Sequence, residues 1–166
     1  QQAGNPAPVV DVTDPEFPNG RIFLFYNTGN NHENEVRKGK GLREAWYITS
    51  TDNGVSWSTP VNITTAVHRP KQPAINAAYN FEEDWRSYAN TPGHALQFGS
   101  GPLRGRIFIA ANHSAGEPQP ESTDYKAHGY YTDDHGKTFR LGATVNMPGS
   151  NESTAALLSD GRLMMN

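Results

Sequence analysis

Two aspartates, Asp52 and Asp134, stand in copies of one eight-residue motif, and repeated carboxylates of this kind can serve catalysis or calcium binding. The motif reads S/T-x-D-x-G-x-S/T-aromatic, and its copies occupy residues 50–57 and 132–139. An aspartate at this position accepts backbone N–H bonds across a tight turn, and the glycine supplies a positive φ. One carboxylate per turn is too few for a calcium cage. We therefore expect both aspartates to be structural.

The histidines form no recognisable metal-binding pattern in the sequence. Residues 32–35 read HENE and lack the second histidine, four positions on, that a zinc-binding helix requires. The remaining histidines are scattered, and the absence of cysteine removes thiolate ligands and cysteine nucleophiles. The sequence therefore predicts no catalytic metal and no cofactor.

Charge and hydropathy argue against two classes of partner. The net charge is −3 and no Lys/Arg block is present, whereas nucleic-acid binding needs clustered positive charge. The one basic stretch, residues 37–40, lies beside Glu33 and Glu35 and is typical of a solvated loop. No apolar run approaches the ~20 residues of a membrane span. We expect neither nucleic-acid binding nor a membrane span.

A second repeat shows how the chain is organised. A turn glycine followed by Arg and a strand-like run occurs at Gly20, Gly105 and Gly161, and each copy follows another short apolar run. Two strands joined by a glycine turn make a hairpin. After the first two copies a third strand leads into the aspartate motif, which opens a fourth. Sixteen Gly and twelve Pro also favour short strands and tight turns, so the pattern predicts an all-β fold of four-stranded antiparallel sheets.

The spacing of the repeats predicts a β-propeller segment of two blades and the opening strands of a third. The predicted segments are a blade at 1–67, a connecting loop at 68–92, a blade at 93–146 and the next blade's first strands at 147–166. At least three stacked repeats are normally needed for stability. We therefore expect the chain to be an internal part of a longer propeller and to pack against the rest of it.

The eight-residue motif is the Asp-box (BNR repeat), and with it the chain resembles the bacterial exo-α-sialidases, or neuraminidases. Asp-boxes also occur in non-hydrolytic propellers, so the ordered set of further matches carries more weight. These lie at residues 5–11, 85–87, 93–97, 131–136, 151–152 and 158–162. The resemblance covers nearly the whole chain and implies a six-bladed propeller.

The resemblance also implies a reaction. Sialidases release terminal α-linked sialic acid from glycans or glycoproteins with retention, using a tyrosine nucleophile instead of a carboxylate. A nearby glutamate takes the tyrosine proton, and by resemblance this is Glu152, at the start of the third blade's innermost strand. An exposed loop acid is the alternative. The tyrosine, three substrate-binding arginines and the acid/base aspartate are expected outside the chain, so the segment alone should be inactive. Relatives are usually secreted or periplasmic.

Three further residues are candidates for substrate binding by resemblance. Asn5 stands where some relatives place an aspartate that contacts a sugar hydroxyl, and a simple turn asparagine is equally compatible. His94 opens the second blade's inner strand and could bind substrate as a neutral imidazole. Tyr125 matches an aromatic lining the N-acetyl pocket, with hairpin packing as the alternative. We expect a framework role for the arginines that recur once per blade, which are Arg21, Arg106 and Arg162.

A second functional class stays open from sequence. A non-catalytic Asp-box propeller that binds glycans or proteins would keep the scaffold and lose the substrate-binding arginines. A propeller hydrolase acting on another acidic sugar is also compatible with these residues. An arginine one or two positions after Asn166 would favour the sialidase.

Overall fold

The computed structural model describes residues 2–91 and 93–166, and most of its regular structure is antiparallel β-sheet. The first sheet has four strands in sequential order. Its strands are β1 (Gln2–Asp11), β2 (Arg21–Gly29), β3 (Arg43–Ser50) and β4 (Val61–Asn62).

The second sheet has five strands, because two short strands share one edge of its longest strand. Both β5 and β6 pair with β7 on that edge, and β8 pairs with the other. Its strands are β5 (Trp85–Asn90), β6 (Leu96–Gln97), β7 (Ile107–Ala115), β8 (Tyr125–Thr132) and β9 (Arg140–Thr144). The other described residues add a hairpin, β10 (Ala155–Leu157) and β11 (Leu163–Met165), and three short helices, α1 (Glu33–Val36), α2 (Thr64–Val67) and a 3₁₀ turn (Pro120–Ser122). The all-β fold of antiparallel, approximately four-stranded sheets predicted from the repeats is confirmed.

One strand lies where the sequence predicted a connection. Strand β5 falls inside the predicted connecting loop, 68–92, and pairs with β7 at residues 111–115. The second sheet therefore begins before residue 93. The predicted limits at residues 1 and 92 lie outside the described residues. The innermost strand of the first sheet is also interrupted, by a register shift between Gly4 and Ala7.

The core lies between successive sheets. On β2 every second side chain is buried, so Phe23 and Phe25 stack with ring centroids 5.8 Å apart. Phe25 meets Tyr130 of the second sheet and Phe139 of the second Asp-box edge-on. Strand β7 is buried at eight consecutive residues because both faces of its sheet are covered. A smaller cluster around Phe108 joins the second sheet to the β10–β11 hairpin. The sheets thus stack in chain order, as propeller blades do.

Both Asp-boxes form the turn that the sequence predicts. Asp52 accepts hydrogen bonds from the Ser56 backbone N–H (2.9 Å) and hydroxyl (2.5 Å). Asp134 accepts the same pair from Thr138, at 2.8 and 2.6 Å. The Ser56 bonds lower the pKa of Asp52 to about 2. The glycines of both copies have positive φ: Gly54 (85°) and Gly136 (84°). The turn predicted around both aspartates is confirmed, and their lack of a catalytic role stays a prediction.

Within the described residues, the helices are too short to cross a lipid bilayer.

Candidate functional site

A cavity of about 460 Å³ lies where the two sheets and the segment before β10 meet. Its wall is mostly polar and draws on residues far apart in sequence. The lining residues are Gln2, Ala3, Gly4, Asn5, Asn27, Thr28, Gly29, Glu33, Arg43, Ser87, Tyr88, Ala89, Asn112, Asn151 and Glu152. A concave site with convergent polar groups is the default place to look for ligand binding.

The structure brings two of the predicted site residues, Asn5 and Glu152, into this cavity. Asn5 lies at the register shift of β1, where its φ of +55° turns the backbone out of the extended conformation. Such irregularities redirect side chains and are common beside functional sites. Glu152 precedes β10 and has an exposed carboxylate, available to act on a bound molecule. The sheet packing thus places together two polar groups from opposite ends of the chain.

Tyr125 lies behind the cavity wall, because its side chain is buried and does not reach the cavity. Its hydroxyl donates a short hydrogen bond to the carboxylate of Glu33, which does line the cavity. Burial raises the pKa of Tyr125 well above its usual value, and the bond to Glu33 raises it further. Tyr125 therefore stays protonated, and it contributes to the cavity by holding the Glu33 carboxylate in place.

His94 is not brought to the cavity. Its side chain is exposed and its Nδ1 lies 3.1 Å from the carbonyl oxygen of Ala95. The second sheet contributes residues 87–89 of β5 and Asn112 of β7 to the cavity wall, and His94 lies beyond the end of β5.

Sequence reasoning missed two charged residues of the cavity, Glu33 and Arg43. Glu33 belongs to the segment between β2 and β3, residues 30–42, here called the insertion, whose mixed charges are typical of a solvated loop. Arg43 opens β3 directly opposite Gly29 of β2. The only sequence signal for Glu33 was its place in an insertion, where binding groups tend to lie. To predict that Arg43 lines the cavity, the pairing register of β2 and β3 would have been needed.

The insertion is fastened to the second sheet by a two-point clamp, formed by Arg37–Asp124 and Glu33–Tyr125. The Arg37 guanidinium binds both oxygens of Asp124, at 2.7 and 3.2 Å, and lies 5.0 Å from the centre of the Tyr125 ring. Arg86 adds a hydrogen bond to the Arg37 carbonyl oxygen (3.0 Å). Glu33 begins α1 and Arg37 directly follows its last residue, so the two side chains are one helical turn apart and contact Tyr125 and Asp124, which are adjacent in sequence.

The three arginines that recur in the turn repeat make framework contacts, as predicted. Arg21 pairs with Asp14 (2.8 Å), Arg106 with Asp133 (2.7 Å), and the exposed Arg162 with Asp160. Arg21 also donates to the carbonyl oxygen of His135, which ties the first sheet to the second Asp-box. Of the described cavity residues, none is one of these arginines.

Among the described residues, one group of three has the spacing of metal ligands: Asp11, Asp14 and His135. Its groups already bind one another and protein donors. His135 Nδ1 lies 2.7 Å from Asp11, which also accepts from Gln97 (2.6 Å), and Asp14 pairs with Arg21. These contacts join the first and second sheets, which accounts for the burial of both carboxylates without invoking a cation.

The comparisons with known proteins agree with this architecture. The family model described as a BNR repeat-like domain matches residues 1–166. A sialidase of Micromonospora viridifaciens is 33% identical over 178 residues, covering 96% of this chain and 23% of that protein. Sialidase-4 of Homo sapiens is 28% identical, covering 95% of the chain and 30% of that protein. Among solved structures, the Hadza microbial sialidase Hz136 superposes with a TM-score of 0.68 at 21% identity, over 99% of this chain and 28% of that one.

The stacked antiparallel sheets and their Asp-boxes define a BNR-repeat propeller segment. The chain belongs to the BNR-repeat sialidase family, as its motifs predicted. It spans only 23% and 30% of the length of these two relatives.

Proposed function

We propose that this chain is part of a longer six-bladed propeller, here called the complete propeller, that hydrolyses terminal α-linked sialic acids with retention. The observation that carries the proposal is the meeting of Asn5 and Glu152 in one polar cavity, between the two sheets and the segment before β10. The family membership of the chain supports the substrate class, which is sialylated glycans or glycoproteins. By the same resemblance the complete propeller is secreted or periplasmic.

In this proposal Glu152 is the base that takes the proton of a tyrosine nucleophile supplied by another part of the propeller. A phenol is a suitable nucleophile because an anionic substrate would repel a second carboxylate at the reacting carbon. The exposed position of Glu152 on the cavity wall supports this role, because a base must be able to reach the proton that it takes.

The other cavity residues would bind and orient the sugar. The Asn5 amide offers a donor and an acceptor to a hydroxyl group. Glu33 accepts hydrogen bonds and is held in place by the Tyr125 hydroxyl, so it need not reorganise when substrate arrives. In the proposed complex Tyr125 acts as a positioning residue.

The substrate class is tested with the complete propeller and two fluorogenic glycosides that share one leaving group, an α-sialoside and a β-glucuronide. We expect turnover of the sialoside alone, with the α-anomer of sialic acid released first in proton NMR. Turnover of the glucuronide alone would show that the substrates are glucuronides and not sialosides. A folded propeller that is inert to both but binds sialylated glycans on an array would show a binding module instead.

A further inference from the structure

Arg43 is a half-buried arginine on the cavity wall, held in one place by its surroundings. Its guanidinium lies against Gly29, where an added Cβ would be 1.7 Å from Nη1 and 2.8 Å from Cζ. Nη1 donates a hydrogen bond to the carbonyl oxygen of Asn31 (3.1 Å). The guanidinium of Arg43 can therefore lie against the backbone of Gly29 because Gly29 has no side chain.

Within residues 2–91 and 93–166, Arg43 has no carboxylate at ion-pair distance, unlike Arg21, Arg37, Arg86 and Arg106. Two carboxylates, Glu33 and Glu152, line the same cavity, and neither pairs with it. Drawing a guanidinium partly out of water without an anion is unfavourable. The remaining N–H donors of Arg43 are thus available to a bound molecule.

The chemistry of the guanidinium defines what it would bind. Its planar fork matches the two oxygens of a carboxylate or sulfate better than a lone hydroxyl. Arg43 belongs to the third strand of its sheet, about 10 Å from the innermost strand at the usual inter-strand spacing. A sugar next to the terminal residue can therefore reach Arg43 more readily than the terminal residue itself, whose reacting carbon lies near Glu152.

We propose that Arg43 forms a subsite for a second acidic group of the glycan, carried by the sugar adjacent to the terminal sialic acid. This inference rests on the function proposed above. The carboxylate of the terminal residue is assigned by family resemblance to arginines outside the chain, which leaves Arg43 for the additional charge. The group is an oxyanion, either the carboxylate of a second sialic acid or a sulfate ester.

The test compares kcat/KM of the complete propeller for three substrates: singly charged sialyllactose, α2,8-disialyllactose and a sialyllactose sulfated on the galactose. In Arg43→Gln we expect kcat/KM to fall about tenfold for the doubly charged substrates and less than twofold for sialyllactose, since one charge-assisted contact is lost. A loss with only one of the two doubly charged substrates identifies the oxyanion as carboxylate or sulfate. Arg104→Gln is the matched control, because Arg104 is an exposed cation away from the cavity.

Gly29→Ala tests the position of the charge without removing it. The new Cβ would displace the guanidinium, so we expect the same selective loss as in Arg43→Gln, and no further loss when both changes are combined. Raising the salt concentration should reduce the advantage of the doubly charged substrates in the unaltered protein alone.

Equal losses on all three substrates, in variants whose melting temperature is unchanged, would overturn the proposal by placing Arg43 on the terminal sugar. Unchanged kinetics on every substrate would overturn it as well. An unaltered propeller that is inert to all three substrates contradicts the proposed function instead, and titration calorimetry with disialyllactose then measures whether Arg43 contributes to binding. Equal affinity of the unaltered protein and Arg43→Gln in that titration overturns the subsite.

Discussion

Asp134 shows how one carboxylate can hold a turn together through several hydrogen bonds. Its oxygens accept hydrogen bonds from Thr132 and from both donor groups of Thr138. Burial acts to raise its pKa, but these bonds outweigh that effect and the pKa is lowered. The carboxylate is therefore fully used within the turn.

We expect Asp134→Asn to lower the free energy of unfolding by about 1 kcal/mol, because one charged acceptor oxygen is replaced by a donor. Activity per folded molecule should not change. Thermal melting of the complete propeller with a parallel sialoside assay measures both. Asp160→Asn is the control, since its pair with Arg162 is exposed and should contribute little. A loss of activity without a loss of stability would give Asp134 a functional role.

At the scale of elements, the clamp between α1 and the second sheet sets the shape of the cavity. The Asp124 side chain is 1% exposed and that of Arg37 is 16% exposed, so the pair is shielded from water. A buried carboxylate left without its partner is strongly destabilising. The clamp also fixes Glu33, because Tyr125 directly follows Asp124.

We expect Arg37→Gln to lower the free energy of unfolding by about 3 kcal/mol and to raise KM for sialosides more than it lowers kcat. Denaturant unfolding and steady-state kinetics of the complete propeller check the two effects. Lys38→Gln is the matched control at the neighbouring residue, because its pair with Glu35 is exposed. If Arg37→Gln and Lys38→Gln behave alike, the clamp does not hold the cavity wall.

The sequence predicted elements well where a local signal exists. The hairpins and both Asp-box turns were predictable because glycine, aspartate and aromatic residues recur at fixed spacing. Strand β5 was not, since Arg86, Ser87 and Asn90 interrupt its apolar residues and its partner strand lies some twenty residues further on. Glu152 and Asn5 were found from family motifs. Arg43 depends on strand register, which no local pattern encodes.

At the scale of the whole molecule, the second sheet buries three histidines that are far apart in sequence. His113 and His128 place their Nδ1 atoms 3.0 Å apart, and the ring of His68 lies 4.6 Å from that of Tyr88. Burial lowers the pKa of His113 to about 3 and those of His68 and His128 well below their usual value. All three are therefore neutral in the folded protein.

This cluster predicts that stability falls in mild acid. In the unfolded chain these histidines titrate near pH 6.5, whereas in the fold their pKa values lie lower. Their contribution to the free energy of unfolding is thus intact above about pH 6.5. It is lost as the pH falls below that value, because only the unfolded state takes up the protons. We expect the melting temperature to drop between pH 7 and 5, and to drop less in His113→Gln. The exposed-site variant His32→Gln should follow the unaltered protein; equal slopes in all three would remove the cluster as the cause.

The most direct test of the sialidase account is the effect of Glu152→Gln on kcat in the complete propeller. Glu121→Gln serves as the control, since Glu121 is an exposed acid that does not line the cavity. Removing a base that assists the nucleophile should lower kcat for the fluorogenic α-sialoside at least a hundredfold, with substrate binding and melting temperature preserved. A folded Glu152→Gln protein whose kcat equals that of the unaltered enzyme and of Glu121→Gln would contradict the assignment.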